Sequence, residues 1–227
     1  VNGDFLVKKP KTLSLKESMI MGTAGFTALQ CSFTTKTTRE ELLLGEKVQN
    51  VIVSGASGGV GSMAVMILNK LGCEVTAVTG KDSNKDYLKS IGAKNVVNTS
   101  ELMKDARPLD KGLWDGAVDT VGGKVLENIL SQTKDAGIVA ACGNAADIKL
   151  NTTVMPFIIR GVKLWGINSV NASIKRRQFL WNEAGKLLDF ETLGKSVKEI
   201  NLEEVMNIYP KMLKGETSGR YIINLDK

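Results

Sequence analysis

The residues best suited to chemistry in this 227-residue chain form a glycine-rich run, Ser54-Gly55-Ala56-Ser57-Gly58-Gly59-Val60-Gly61. It follows the short apolar run Val51-Ile52-Val53 and opens a segment with helical spacing. The pattern Ala56-x-Gly58-x-x-Gly61 fits a dinucleotide-binding fingerprint whose first glycine is replaced by alanine. Such a turn brings backbone N–H groups at a helix start against a pyrophosphate, where the positive end of the helix dipole favours an anion. A P-loop is disfavoured, because no Gly-Lys-Ser/Thr closes the run.

A second apolar run ends in Thr79-Gly80-Lys81-Asp82-Ser83, roughly twenty residues past the last glycine. An acid at this place would hold the ribose 2′-hydroxyl of NAD, whereas a cation would neutralise the 2′-phosphate of NADP. Lys81 therefore favours NADP(H), although Asp82 beside it blurs the signal; the alternative is a solvated loop charge.

Missing residue types narrow the chemistry further. The chain has no histidine, so Ser–His and Cys–His nucleophiles have no base. The three cysteines Cys31, Cys73 and Cys142 are widely spaced and odd in number, which argues against a disulfide framework. With no CxxC either, zinc lacks its usual ligands. A short-chain dehydrogenase needs Tyr-x-x-x-Lys, but Ile91 follows Tyr87 and Leu213 follows Tyr209 at that spacing. The net charge of +6 is scattered, and the clusters Lys8-Lys9 and Lys175-Arg176-Arg177 lack interleaved aromatics. A solvated surface tuned for anionic ligands is expected, and no nucleic-acid partner. No apolar run approaches a membrane span, and Val1 to Pro10 lacks a signal-peptide pattern, so a cytoplasmic protein without a membrane partner is expected.

These groups need elements to position them. After an extended start that stops at Pro10, helical spacing runs from Leu15 to about Phe33, and the polar segment Thr34 to Asn50 reads as a connection. Buried strands are expected at Val51–Val53, Glu74–Thr79, Asn95–Val97, Trp114–Asp119, Ile138–Ala141 and Val162–Ile167. Helices are expected at Val60–Leu71, Tyr87–Ile91, Lys124 to about Lys134, Arg177–Leu188 and Leu202–Lys214. Short apolar strands alternating with helices predict an α/β fold, a doubly wound parallel sheet. The last run, Gly219–Leu225, alternates like a strand but belongs outside that series.

The run from Val51 to Lys81 resembles quinone oxidoreductase-like members of the medium-chain dehydrogenase/reductase superfamily, and among them the acryloyl-CoA reductase group. Gly22-Thr23-Ala24-Gly25-Phe26-Thr27-Ala28, Asp119-Thr120-Val121-Gly122, Ala141-Cys142-Gly143 and Thr152 to Ile158 match in the same order. The resemblance implies an NADP-binding Rossmann domain over 13–195. Remnants of a GroES-like catalytic domain would flank it, at 1–12 and in a C-terminal return over 196–227. The larger part of that domain, on the order of 100 residues, would lie ahead of Val1, so little turnover is expected of this part alone. The implied activity is zinc-free, NADPH-dependent reduction of an activated C=C bond, as in an enoyl thioester such as acryloyl-CoA, or of a quinone, by a homodimer. A stand-alone NADPH-binding or redox-sensing module is the alternative.

Carried over residue by residue, the resemblance implies that Ser57, Gly58, Gly59 and Val60 meet the pyrophosphate. Thr79, Gly80 and Lys81 would surround the 2′-phosphate, and Thr120 would line the groove. Gly143 and the segment Gly166, Ile167 to Ser169 would approach the nicotinamide. Thr23 would lie near it, and Arg220 would close the site from the C-terminal strand. Other roles stay open: a buried hydroxyl for Thr23, a strand-end cap for Thr120, a surface ion pair for Arg220. Cys142 reads as a small core residue rather than a nucleophile. No catalytic residue is assigned.

Overall fold

Why the run Val51-Ile52-Val53 is apolar throughout becomes plain in the structure, a computed structural model that describes residues 2–217 and 219–225. This run lies in β1 (Asn50–Val53), with β2 (Glu74–Thr79), β3 (Ala93–Asn98), β4 (Trp114–Asp119), β5 (Thr133–Ala141) and β6 (Lys163–Gly166) in the same sheet. The strands are parallel in the order β3-β2-β1-β4-β5-β6. Helices cover both faces, so successive residues of a central strand must both be apolar. Val51 and Val53 pack into one core with α1 (Leu15–Phe33), α3 (Gly59–Lys70), α4 (Lys85–Ser90) and α7 (Ile174–Leu187). Ile52 packs into the other core, with α5 (Gly123–Ser131).

Several elements depart from the expectation. The start is a 3₁₀ turn at Gly3–Phe5 rather than an extended run, with the Asn2 side chain accepting from the Asp4 N–H. The expected connection after α1 stays helical, through a π-helical turn at Thr34–Thr38 and α2 (Arg39–Leu42). Its polar side chains find tertiary partners: the Thr35 hydroxyl donates to the Ala117 carbonyl at 3.0 Å and Arg39 donates to the Asp135 carbonyl at 3.3 Å. β5 begins at Thr133, ahead of its apolar stretch, because Arg160 donates to the Ser131 and Thr133 carbonyls and anchors the strand's polar start. Arg160 itself ends a helix absent from the sequence reading, α6 (Met155–Arg160).

Beyond the main sheet, α8 (Phe190–Gly194) is capped by the Asp189 carboxylate. It leads into β7 (Val197–Ile200), which the sequence reading missed. After α9 (Val205–Leu213), β8 (Arg220–Ile223) pairs with β7 in a separate, two-stranded parallel sheet. The final strand thus stands outside the six-stranded series. Among the described residues no helix is long and apolar enough to cross a membrane.

At the start of β4, Asp115 fastens the sheet from below. Its buried carboxylate accepts the Gln49 N–H at 3.0 Å and the Asn50 N–H at 2.7 Å, and pairs with Lys134 at 3.1 Å. Burial alone would raise its pKa, but the Asn50 N–H, Lys134 and the Gln49 N–H outweigh it and hold the carboxyl below its ordinary value. A depressed carboxyl contributes stability above the unfolded pKa, and that stability is lost as pH falls through the folded value. Asp115→Asn is expected to destabilise by about 1.5–3 kcal/mol at neutral pH. The gap from wild type should shrink below about pH 4. Urea unfolding at the two pH values checks this, and an undiminished gap in acid would refute it.

Candidate dinucleotide site

The loop leaving β1 is shaped by glycines that sterics demand. Gly55 has φ +57°, and a Cβ there would lie 2.2 Å from the Thr120 hydroxyl oxygen. The turn closes through the Gly58 N–H donating to the Gly55 carbonyl at 3.0 Å. Gly58 then caps α3 without any side-chain hydrogen bond, so no side chain occupies the helix's first N–H groups. Gly61 serves packing: a Cβ there would lie 2.3 Å from the Gly55 oxygen and 2.7 Å from the Ala56 Cα. Gly58 is exposed, and its Cβ would meet only the Gly55 oxygen, at 3.3 Å. One glycine presses helix to strand, and the other keeps the outer face open to a ligand.

The turn is tied to its neighbours by buried hydroxyls. At the end of β4 the buried Asp119 carboxylate accepts from the Ser54 hydroxyl at 2.6 Å, the Gly122 N–H at 2.9 Å and the Val121 N–H at 3.3 Å. Burial dominates over these bonds and raises the Asp119 pKa. Thr120 joins the same network, donating its hydroxyl to the Ser54 carbonyl at 3.0 Å and its N–H to Ser54 Oγ at 2.9 Å. Thr120 is thus a strand-end tie. Neither Ser54 nor Asp119 was singled out in the sequence, although a carboxylate closing an apolar strand was a signal available there.

Where β2 ends, Ser57 Oγ lies 3.2 Å from the buried Thr79 Oγ1, which also accepts the Lys81 N–H at 3.2 Å. Gly80 is exposed, and its Cβ would lie 3.8 Å from the Thr99 hydroxyl. The Lys81 ammonium is not a freely solvated charge. It donates to the Gly215 carbonyl at 2.7 Å and the Thr217 carbonyl at 3.2 Å.

At the other end, Gly143 is pressed against the β4 loop, since a Cβ there would lie 2.4 Å from the Thr120 oxygen. Gly143, Gly166, Ile167 and Ser169 share one crevice between the ends of β5 and β6. The Cys142 thiol also borders it, and donates to the Asp119 carbonyl at 3.5 Å. Its contact with Cys31, together with burial, pushes the Cys31 thiol well above its ordinary pKa. Thr23 is exposed, directly after a break in α1 at Gly22, where φ is +46°. It is therefore not a buried hydroxyl, and with Ser169, Val170 and Trp181 it lines a cavity of about 230 Å³.

Arg220 reaches across from β8. Its Nε donates to the Ile20 carbonyl at 3.2 Å, and Cβ atoms at Gly59 and Gly22 would each lie 3.1 Å from its terminal nitrogens. The guanidinium therefore sits against the first residue of α3. Burial pushes its pKa down, and among the described residues it makes no ion pair. The surface ion pair left open in the sequence is thus not found.

Known proteins bear on this arrangement. The zinc-binding dehydrogenase family profile matches residues 59–184. The chain is 42% identical over 226 residues to the Escherichia coli K12 protein named "Probable acrylyl-CoA reductase AcuI", covering 100% of this chain and 68% of that protein. The chain belongs to the medium-chain dehydrogenase/reductase superfamily. A Salmonella enterica yhdH oxidoreductase solved with NADP superposes with a TM-score of 0.91 at 42% identity, over 98% of this chain and 67% of that one. Bacillus subtilis yhfP, solved with NAD bound, gives a TM-score of 0.90 at 40% identity, over 99% and 68%. The family's description names zinc, but this chain has no histidine, and its described residues contain no cluster of three metal-capable side chains.

The two glycines should respond differently to a methyl group. Alanine in place of a helical glycine gains about 1 kcal/mol of helix propensity. At Gly61 the clash with Gly55 and Ala56 should outweigh that gain, leaving Gly61→Ala destabilised by about 1–3 kcal/mol. Gly58→Ala should cost less than about 1 kcal/mol, because only a slight shift of one oxygen is needed. Denaturant unfolding of both variants tests this, and equal stability of the two would contradict the division of roles.

Proposed function

We propose that this chain holds the cofactor of an NADPH-dependent reductase acting on the C=C bond of an α,β-unsaturated thioester such as acryloyl-CoA, or on a quinone. The observation that carries the reading is the Arg220 guanidinium, half-buried and, among the described residues, without a carboxylate partner, against the uncapped N-terminus of α3. Two positive features packed together repel each other unless an anion lies between them. A pyrophosphate over Ser57, Gly58, Gly59 and Val60 would supply that charge. The relatives solved with NADP and NAD, and an Escherichia coli relative named for acrylyl-CoA reduction, support the choice of ligand and substrate class. The quinone reading is supported by Bacillus subtilis YhfP, 40% identical over 227 residues, whose name proposes a quinone oxidoreductase.

In this reading Thr79, Gly80 and Lys81 receive the 2′-phosphate. An ammonium has three N–H groups, and two of those on Lys81 reach carbonyls, which leaves one for the phosphate. Thr120 borders the groove, while Gly143, Gly166, Ile167 and Ser169 flank the nicotinamide end and Thr23 offers a hydroxyl beside it. When bound, the nucleotide supplies a hydride for the β-carbon of the activated alkene. The chain's part is to fix the nucleotide and to keep water from its reactive face.

The same reading divides the chain at 1–12, 13–195 and 196–227, with the outer two segments belonging to a GroES-like catalytic domain. The separate β7–β8 sheet supports that division. It also includes a homodimer built on β6, an edge strand carrying the exposed Leu164 and Trp165, since unpaired edges favour self-pairing. A cytoplasmic location is supported by the free thiols of Cys31, Cys73 and Cys142.

NADPH is expected to bind more tightly than NADH, and Lys81→Glu should weaken NADPH about tenfold or more while sparing NADH. Calorimetry decides this; equal affinities in wild type would refute the 2′-phosphate assignment. NADPH oxidation on adding acryloyl-CoA or a quinone, measured with this chain joined to the rest of the GroES-like domain, tests the activity, and no turnover there would refute it. For the dimer, sedimentation should give twice the mass of one chain, and a monomer would refute the edge pairing.

A further inference from the structure

The sequence reading left Arg177 in a basic cluster on a solvated surface. The structure separates it from its neighbours, for Lys175 and Arg176 are exposed whereas Arg177 is half-buried. Its guanidinium draws three carbonyls of one short loop together. Nη2 donates to Ser169 at 2.7 Å and Val170 at 2.8 Å, and Nε donates to Ala172 at 3.2 Å. The same group lies 4.9 Å from the centroid of the Phe26 ring on α1. Phe26 is three residues beyond Thr23, and all of these side chains border the 230 Å³ cavity.

The ends of the loop are held by other contacts: the Ile167 N–H donates to the Ala141 carbonyl at 2.9 Å, and the Ile167 and Ala172 side chains pack against the core. The middle is not, for the Asn168 carboxamide accepts the Val170 and Asn171 N–H groups and so shapes the turn only from within. Val170 is 79% exposed, so its side chain does not anchor the middle either. Carbonyl oxygens in a loop normally turn to water. Here three are gathered by a cation that lies over an aromatic ring of another element. A lysine would do both less well, because its ammonium lacks the planar fork that bonds several acceptors while covering a ring.

We infer that Arg177 is a positioning residue: it fastens the loop after β6 to α1 and so holds the wall of the crevice that receives the nicotinamide end of the cofactor. The inference rests on the proposed function for the identity of that ligand, but the fastening itself does not. Loss of Arg177 frees Ser169 and Val170, on the wall beside Gly143 and Thr23. It leaves untouched the turn at Ser57–Val60 and the rim at Thr79–Lys81, so it acts on one end of the dinucleotide alone.

The test compares wild type with Arg177→Met, Arg177→Lys and, as a control, Arg176→Met, in the whole chain. Hydrogen exchange without ligand should show the amides of 167–173 exchanging at least tenfold faster in Arg177→Met, with β1 and α3 unchanged. Arg177→Lys should recover part of the protection, and Arg176→Met should match wild type. In titrations, Arg177→Met should bind 2′,5′-ADP within twofold of wild type but bind NADPH at least fivefold more weakly. Unchanged exchange at 167–173, or equal weakening of both nucleotides, overturns the inference. Should wild type bind neither nucleotide, the proposed function fails, and the exchange result still decides whether Arg177 fastens the loop.

Discussion

Ser54 and Asp119 share a 2.6 Å hydrogen bond inside the protein, between the ends of two adjacent strands. A carboxylate placed there is costly, since burial raises its pKa, and it persists because three donors converge on it. The order β3-β2-β1-β4-β5-β6 reverses direction between β1 and β4, so the loops above those strands diverge and open a crevice. The Ser54–Asp119 bond sets how far they part. From it follow the position of Thr120, the approach of Gly143 to the Thr120 carbonyl and the seat of the glycine turn.

Much of this was legible in the chain, for a physical reason. β2 and β4 fall where the sequence put them, to the residue, because a strand covered on both faces carries a short apolar run through its middle, here Ala77-Val78 and Ala117-Val118. The glycine turn was legible because a positive φ and the Thr120 side chain exclude a side chain at Gly55, and the backbone of Gly55 and Ala56 excludes one at Gly61. Such constraints are local and leave their mark on residue type.

What stayed hidden depends on partners far along the chain. Thr34 to Leu42 is polar, and its helical conformation rests on bonds to Ala117 and Asp135 that no local pattern announces. β7 is four residues long and is stabilised as a strand by pairing with β8. Lys81 read as a phosphate ligand or a solvated loop charge, yet its ammonium gathers the Gly215 and Thr217 carbonyls. Arg177 read as a surface charge, yet it lies over the Phe26 ring of α1. A cation's role is set by what surrounds it, and composition does not carry that.

The contact between Arg220 and the Ile20 carbonyl joins residues 200 positions apart. The pairings β1 with β2 and β2 with β3 close over much shorter stretches. Short closures are reached sooner than long ones during folding. The sheet and its glycine turn can therefore form before β8 is made, and the turn then faces solvent without the Arg220 guanidinium. The contact of Arg220 with the first residue of α3 is added only as β8 docks.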